Sequence, residues 1–223
     1  MRRGRGQVPA WTLPLLVALL APWGPLVAVA ADDGGSVSVF AHGAGNRALA
    51  LGGAYAAVAD DAASIFWNPA GLARVPRREL WAGHSNLIGL GFGEQAGALA
   101  LPHWRWGTVA LAFRRFGVDG IDARDEHNVA AGELTDAESE LALGLARELG
   151  PAWSIGGALK LRRQDLAGFS DSGWGCDLGL LARPLLAAGV GAAWARDLTV
   201  GLALRNAVEP AIRLDEETVR SEE

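Results

Sequence analysis

Residues 138–149 read Glu-Ser-Glu-Leu-Ala-Leu-Gly-Leu-Ala-Arg-Glu-Leu, and residues 152–165 read Ala-Trp-Ser-Ile-Gly-Gly-Ala-Leu-Lys-Leu-Arg-Arg-Gln-Asp. In both stretches a large aliphatic side chain occupies nearly every second position, as in Leu141, Leu143 and Leu145. Successive side chains of a β-strand point to opposite faces, so a period of two indicates a strand with one aliphatic face. The two stretches therefore predict neighbouring β-strands.

The same period of two continues through most of the chain that follows Arg78. It predicts an all-β domain over residues 79–206, built from about seven antiparallel strands. The predicted strands cover residues 79–86, 93–102, 106–117, 138–149, 152–165, 173–184 and 194–206. The 30 glycines of the chain also disfavour long helices.

The second face of these strands consists mainly of Gly and Ala, with a few charged residues such as Lys160 and Arg162. In a soluble β-sandwich the second face would be polar and wet. A transmembrane β-barrel instead turns large aliphatic side chains towards lipid and small or charged side chains towards its lumen. We therefore expect an antiparallel transmembrane β-barrel in a bacterial outer membrane, surrounded by outer-membrane lipid.

Tryptophans lie near the ends of the predicted strands, which is typical of the aromatic girdle of a membrane barrel. The predicted membrane-interface residues are Trp81, Trp104, Trp106, Trp153, Trp174 and Trp194. The long polar link from Gly117 to Glu138 is predicted to be an extracellular loop.

Seven strands are too few for a bacterial single-chain barrel, which has an even number of strands from about eight upward. An open sheet in hydrocarbon would also leave the polar groups of its edge strands unpaired. Residues 207–223 form a polar tail without a terminal aromatic strand. From these patterns we expect the sequence to be truncated and the complete barrel to contain further strands.

Residues 1–30 have the layout of a secretory signal peptide. Three arginines precede an apolar stretch over residues 9–30, which ends in Ala28-Val29-Ala30. The prolines within that stretch argue against a membrane-spanning helix, since an interior proline costs about 3 kcal/mol. We expect cleavage after Ala30 and export of the mature chain.

Other patterns disfavour catalysis, metals and nucleic acid. The net charge is −5, and beyond the N-terminus there is no cluster of Lys or Arg that could bind phosphates. The single cysteine, Cys176, lies in an alternating segment without a histidine that would activate it. The four histidines are scattered without the spacing of metal ligands. We predict no catalytic residues, no cofactor and no metal site.

Residues 31–78 precede the strands as an Ala-rich segment of short helices and turns. Asn68-Pro69-Ala70-Gly71 has the composition of a tight turn, and the preceding helix must stop before Pro69. Asp60 and Asp61 are interpreted as helix-terminating or capping residues, because adjacent carboxylates of a helix point to different faces.

The run over residues 50–72, Ala-Leu-Gly-Gly-Ala-Tyr-Ala-Ala-Val-Ala-Asp-Asp-Ala-Ala-Ser-Ile-Phe-Trp-Asn-Pro-Ala-Gly-Leu, resembles the N-terminal signature of the PorV/PorQ proteins. Through them it is similar to the FadL-type outer-membrane transporters, which also carry an Asn-Pro-Ala motif near the mature N-terminus. The resemblance implies that residues 43–73 form a helical plug at the periplasmic side of the barrel or inside it. The implied plug-motif residues are Gly52, Gly53, Asp60, Asp61, Trp67, Asn68, Pro69 and Gly71.

Three functions remain open at this point. The resemblance to PorV/PorQ proteins implies a role in protein secretion and surface attachment of the type IX kind, with secretion-machinery or cargo proteins as partners, or else a purely structural role of the barrel. A FadL-type channel for long-chain fatty acids or other hydrophobic molecules is the second, and it requires an apolar luminal pocket. A soluble secreted β-sandwich is the third.

Overall fold

A computed structural model describes residues 39–87, 92–103, 105–124, 127–166, 169–190 and 197–208. The predicted signal peptide, Trp104, Trp194 and most of the predicted polar tail lie outside these residues.

The described strands form one antiparallel sheet in which each strand pairs with the next along the chain. They are β1 (Glu79–Leu87), β2 (Phe92–His103), β3 (Gly107–Arg124), β4 (Ala130–Glu148), β5 (Trp153–Leu166), β6 (Phe169–Ala182) and β7 (Val200–Val208). The predicted antiparallel β-fold of seven strands is thereby confirmed. Within the described residues β1 and β7 do not pair with each other, so the sheet is open.

The link between β3 and β4 differs from the predicted loop. Strand pairing continues through most of residues 117–138, and only residues 125–129 lie between the two strands. This part of the hairpin carries polar residues on both faces, so it lacks the alternation that marks the rest of each strand. A register shift between Val118 and Ile121 adds to the irregular pattern.

Cross-strand register aligns like side chains on each face of the sheet. On one face Leu80, Leu99, Leu111, Leu143 and Leu159 stand opposite one another in a single row across β1 to β5. On the other face, Ala110, Gly144 and Ala158 form a row of small residues. We call the aliphatic side the outer face and the side with the small residues the inner face.

Residues 39–78, here called the N-terminal segment, pack against the inner face. Ile65, Phe66 and Leu72 of the segment are buried in one apolar cluster with small residues of the sheet such as Ala112 and Ala142. The segment contains short 3-10 helices at Val39–His42, Ala62–Phe66 and Pro69–Arg74, and the α-helix α1 at Asn46–Ala50; a second short helix, α2 (Pro184–Ala187), follows β6. No helix of the described residues has the length and hydropathy of a membrane span.

Candidate functional site

The Asn68-Pro69-Ala70-Gly71 turn is docked on the inner face of the sheet. Asn68 is fully buried and is the N-cap of the helix Pro69–Arg74, where its Oδ1 accepts a hydrogen bond from the Ala70 nitrogen at 3.1 Å. Its Nδ2 donates to the Ala56 carbonyl at 2.7 Å and to the Leu180 carbonyl of β6 at 3.3 Å. One side chain therefore connects the turn, the preceding loop and the sheet.

Glycines of the sheet provide the space for this turn. A Cβ at Gly156 of β5 would lie 2.5 Å from the Pro69 carbonyl carbon. A Cβ at Gly179 of β6 would meet Asn68 Oδ1 and lie 2.7 Å from the Ala70 nitrogen. Because real Cβ atoms do not approach this closely, these two strand positions require glycine for the close approach of another backbone.

Trp67 anchors the earlier half of the N-terminal segment. Its Nε1 donates to the Ala44 carbonyl at 2.6 Å, and its ring covers Gly43 and Gly53. Both glycines have positive φ, and a Cβ at Gly43 would lie 2.6 Å from the ring. The Arg205 guanidinium of β7 lies 5.6 Å from the ring centroid, so Trp67 also makes a cation–π contact with the sheet.

The remaining glycines of the implied motif have different surroundings. Gly52 has a φ of 63° with open space around it, which is typical of a glycine required by the turn itself. Gly71 is buried, and a Cβ there would lie 2.6 Å from the Cβ of Ala59, so this position is closed by packing within the segment.

Asp60 and Asp61 form a network with Arg47 and Tyr55. Arg47 pairs with Asp60 and donates to the Tyr55 hydroxyl at 3.2 Å, while that hydroxyl donates to Asp61 Oδ2 at 2.6 Å. Asp61 is the N-cap of the helix Ala62–Phe66 and forms a capping box with Ser64. The two acids therefore hold the local fold of the segment, and the described residues contain no group of three His, Cys, Asp or Glu placed to hold a metal.

Tyr55 provides a pH test of this network. Burial raises the pKa of the Tyr55 phenol above its ordinary value, and the hydrogen bond to Asp61 raises it further. The folded segment thus favours the neutral phenol, so its stabilising effect is complete below the ordinary pKa of about 10 and is lost as the pH rises towards the higher folded-state value. Since Tyr55 is the only tyrosine, ultraviolet absorbance reports its ionisation directly. We expect ionisation above pH 10 together with loosening of the segment, and a Tyr55→Phe variant without this alkaline transition; normal titration near pH 10 would contradict the burial.

A network of buried charged side chains lies beside the docked segment. Arg114 donates to Glu140 Oε1 through Nε at 3.1 Å and through Nη2 at 2.8 Å. Arg162 Nη2 donates to the other oxygen, Glu140 Oε2, at 3.1 Å, and its Nε lies 3.1 Å from Glu138 Oε1 without hydrogen-bond geometry. The three strands β3, β4 and β5 are therefore bridged on the inner face by one acid between two guanidinium groups.

The network continues across β5 to β7 and reaches the N-terminal segment. Lys160 Nζ lies 2.7 Å from Asp177 Oδ1, and the same oxygen accepts from the Asn206 nitrogen at 2.6 Å. The Phe40 carbonyl accepts from Arg114 at 3.0 Å and from Arg205 at 2.9 Å. We call these charged residues the inner charge cluster: Arg114, Glu138, Glu140, Lys160, Arg162, Asp177 and Arg205.

Three tryptophans of the predicted girdle are exposed among the described residues. Trp106 lies in the turn before β3, and Trp153 is the first residue of β5. Trp174 lies within β6 and pairs with Leu161 of β5 at the edge of the aliphatic part of the outer face. The next outward-facing residue of β6 towards its start is the polar Ser172. Trp81 is different: it faces inward and packs edge-to-face on Phe66 at 6.1 Å. Its ring fills space over the small residues of the inner face, which a strand-end position does not reveal.

No protein-family model, curated protein or solved structure matches this chain. The PorV/PorQ resemblance of residues 50–72 therefore remains an expectation from the sequence. A function must be argued from the two faces of the sheet and from the segment docked on one of them.

Proposed function

We propose that this chain forms part of the wall of an outer-membrane β-barrel, with the N-terminal segment as a plug in its lumen. The exposed aliphatic outer face carries this proposal. Leu143 and Leu159, at the centre of that face, are 54% and 60% exposed. A water-soluble protein rarely exposes an apolar surface of this extent, whereas a lipid-facing barrel requires one.

The outer face has the borders expected of a membrane band. Beyond the aliphatic rows, Gln95, Arg115, Ser139, Arg163 and Ser172 align in one polar row across β2 to β6. Along β5 the apolar part from Trp153 to Leu161 is about 26 Å long at about 3.3 Å per residue. At the tilt of about 40° that is typical of barrels, it covers about 20 Å of membrane, close to the usual band of about 25 Å.

The inner charge cluster fits the luminal side of such a wall. Buried charges inside a membrane are costly unless they pair and face the protein interior. Here the acids and bases pair across neighbouring strands and against the N-terminal segment, away from the lipid-facing side. Because lipid offers no hydrogen bonds, the outer edges of β1 and β7 would pair with further strands in the membrane.

A soluble β-sandwich has less support. It needs a second sheet that covers the aliphatic face, whereas the described strands form one sheet whose outer face is uncovered.

Assistance in protein secretion or surface attachment is the role we favour for this barrel, as the PorV/PorQ resemblance implies. The docked segment fills the inner face, and a cavity of about 30 Å³ lies between it and β1. A plugged wall is better suited to contacts with cargo or secretion proteins than to a FadL-type passage of hydrophobic molecules.

Membrane fractionation of cells that express the full chain tests the proposed location. We expect the protein in the outer-membrane fraction, resistant to washing with urea or high salt and released only by detergent. A periplasmic marker protein processed in parallel provides the control. Recovery of the chain with that marker, without detergent, would exclude the membrane wall.

The proposed role needs a separate experiment in the native host. Deletion of the gene is expected to lower the amount of surface-attached secreted protein and to leave uptake of a labelled long-chain fatty acid unchanged. A loss of uptake with normal surface attachment would instead favour the channel.

A further inference from the structure

The hairpin of β3 and β4 extends beyond the rest of the sheet. β2 pairs with β3 only as far as Val118, and β5 pairs with β4 only as far as Asp136. Beyond these points the two strands pair with each other up to Arg124 and Ala130, but within the described residues they pair with no third strand. We call residues 119–135, the extended part of the hairpin, the ribbon.

The ribbon projects past the polar border of the outer face. Ser139 belongs to the polar row, and Ala130 lies nine residues before it in β4, a distance of about 30 Å at about 3.3 Å per residue. Ile121 and Asp122 on β3, and Ala130 and Thr135 on β4, are exposed. The two edges of the ribbon are therefore accessible from solution.

An open strand edge offers a row of backbone donors and acceptors that an extended peptide can complete. The edge of β4 is the more regular of the two. The register shift between Val118 and Ile121 inserts one extra residue into β3, whereas β4 continues without an insertion from Gly132 into the part that pairs with β5. A strand added beside residues 130–135 would therefore lie on the side of β4 that β5 occupies further along.

The charge of the ribbon determines which partner fits this edge. The sequence of residues 119–136 contains six Asp or Glu and one arginine, Arg124, which lies 3.5 Å from Asp122. Asp122 and Glu133 are direct cross-strand partners, and like charges at such positions destabilise a pair of strands. A second copy of the chain would bring further acids to the edge, so repulsion disfavours self-pairing. A strand that carries Lys or Arg would instead relieve the repulsion.

From these observations we propose that the edge of β4 over residues 130–135 binds an extended, basic segment of a partner protein by strand addition. Backbone hydrogen bonds to the edge hold the segment, and its Lys or Arg side chains meet the acids of the ribbon. The proposal rests on the proposed function only in naming a cargo or secretion protein as the source of the segment. Peptide binding depends neither on membrane location nor on secretion, so the two proposals fail separately.

A ten-residue peptide of alternating Lys and Thr is the probe, since threonine favours strands and the peptide has no apolar face that would bind detergent. With the full chain in zwitterionic detergent micelles, we expect fluorescence anisotropy of the labelled peptide to show saturable binding. Hydrogen-exchange mass spectrometry is expected to show protection of residues 130–135 in the complex. The same peptide N-methylated at every second residue keeps its charges but loses the backbone donors of one edge, and we expect it to bind about tenfold more weakly or less.

A shortened chain tests where the peptide binds. Replacing residues 119–135 by Asn-Gly closes the hairpin at the existing Val118–Asp136 pair with a two-residue turn, which leaves the rest of the sheet in place. We expect this variant to lose binding of the Lys-Thr peptide. Circular dichroism and denaturant unfolding check that it folds like the parent.

A charge variant keeps the ribbon and removes two of its acids. Asp122→Asn combined with Glu133→Gln is expected to weaken peptide binding about fivefold. Glu148→Gln combined with Asp197→Asn is the matched control, because it removes the same charge outside the ribbon, and it is expected to leave binding unchanged.

Equal binding of the N-methylated peptide would reduce the interaction to charge attraction and would overturn strand addition. Undiminished binding to the shortened chain, or exchange protection at β1 or β7 in place of residues 130–135, would overturn the location. Equal losses in the charge variant and its control would remove the role of the ribbon acids. An absence of saturable binding to the parent would overturn the proposal outright.

Discussion

Leu143→Arg is expected to destabilise the protein folded in a lipid bilayer, reducing its free energy of unfolding by about 2–4 kcal/mol. Leu143 lies in the middle row of the outer face, between Leu111 of β3 and Leu159 of β5. If that row faces the centre of the membrane, the arginine must either lose its hydration or pull water and lipid headgroups inward. Denaturant titration of the protein folded into lipid vesicles measures the change.

Ser139→Arg is the matched control for this substitution. Ser139 points to the same face of the same strand as Leu143 but belongs to the polar row. An arginine near the membrane interface costs about 0–1 kcal/mol. Repulsion from Arg115 and Arg163, which lie directly opposite on the neighbouring strands, adds a small loss, so this variant should lose clearly less stability than Leu143→Arg. Equal losses in the two variants, or no loss in either, would show that the outer face does not lie in lipid.

Gly156→Ala is expected to release the Asn68-Pro69-Ala70-Gly71 turn from the sheet. The added methyl group would lie 2.5 Å from the carbonyl carbon of Pro69, so the turn must move. Overpacking of this kind typically costs about 1–3 kcal/mol. Trypsin provides the measurement, since release of the segment exposes the bond after the half-buried Arg74, and we expect faster cleavage at that bond than in the parent.

The neighbouring glycine supplies the control. Gly157 lies in the same strand but on the outer face, where a Cβ would meet its nearest atom at 3.6 Å. Gly157→Ala should therefore leave both the cleavage rate and the unfolding midpoint close to those of the parent. If trypsin also cleaves the Gly157→Ala variant rapidly, the release of the segment results from replacing a glycine in β5 and not from a clash with the turn.

The strands were predictable from the sequence because the two faces carry side chains of different size. The inner face, which the N-terminal segment covers, has small residues, and the exposed outer face has large aliphatic ones, so the two kinds alternate along each strand. Leu141, Leu143 and Leu145 alternate with Ala142 and Gly144 for this reason. The signal disappears where both faces are polar, and the paired strands near residues 117–124 were consequently interpreted as loop. Backbone hydrogen bonds hold that hairpin, and they leave little trace in side-chain periodicity.

The candidate site was predictable only in its local parts. The sequence of Asn68 and Pro69 indicates a tight turn, because both residues have strong conformational preferences. The partners of that turn are more than 80 residues away in sequence, and no local preference identifies Gly156 or Gly179 as the strand positions on which the turn packs. The pairing of Arg114 with Glu140 depends in the same way on the register of β3 and β4, which determines which inward charges meet.

The contacts between the N-terminal segment and the later strands also affect the order of folding. The N-terminal segment packs against one glycine in each of four successive strands, Gly144, Gly156, Gly179 and Gly201. This packing surface is absent until β4 to β7 have paired. During synthesis the segment emerges before all of these strands, and closing such distant contacts is slow. We expect the first-made part of this domain to reach its native position last, which makes its protection from protease a reporter of completed sheet assembly.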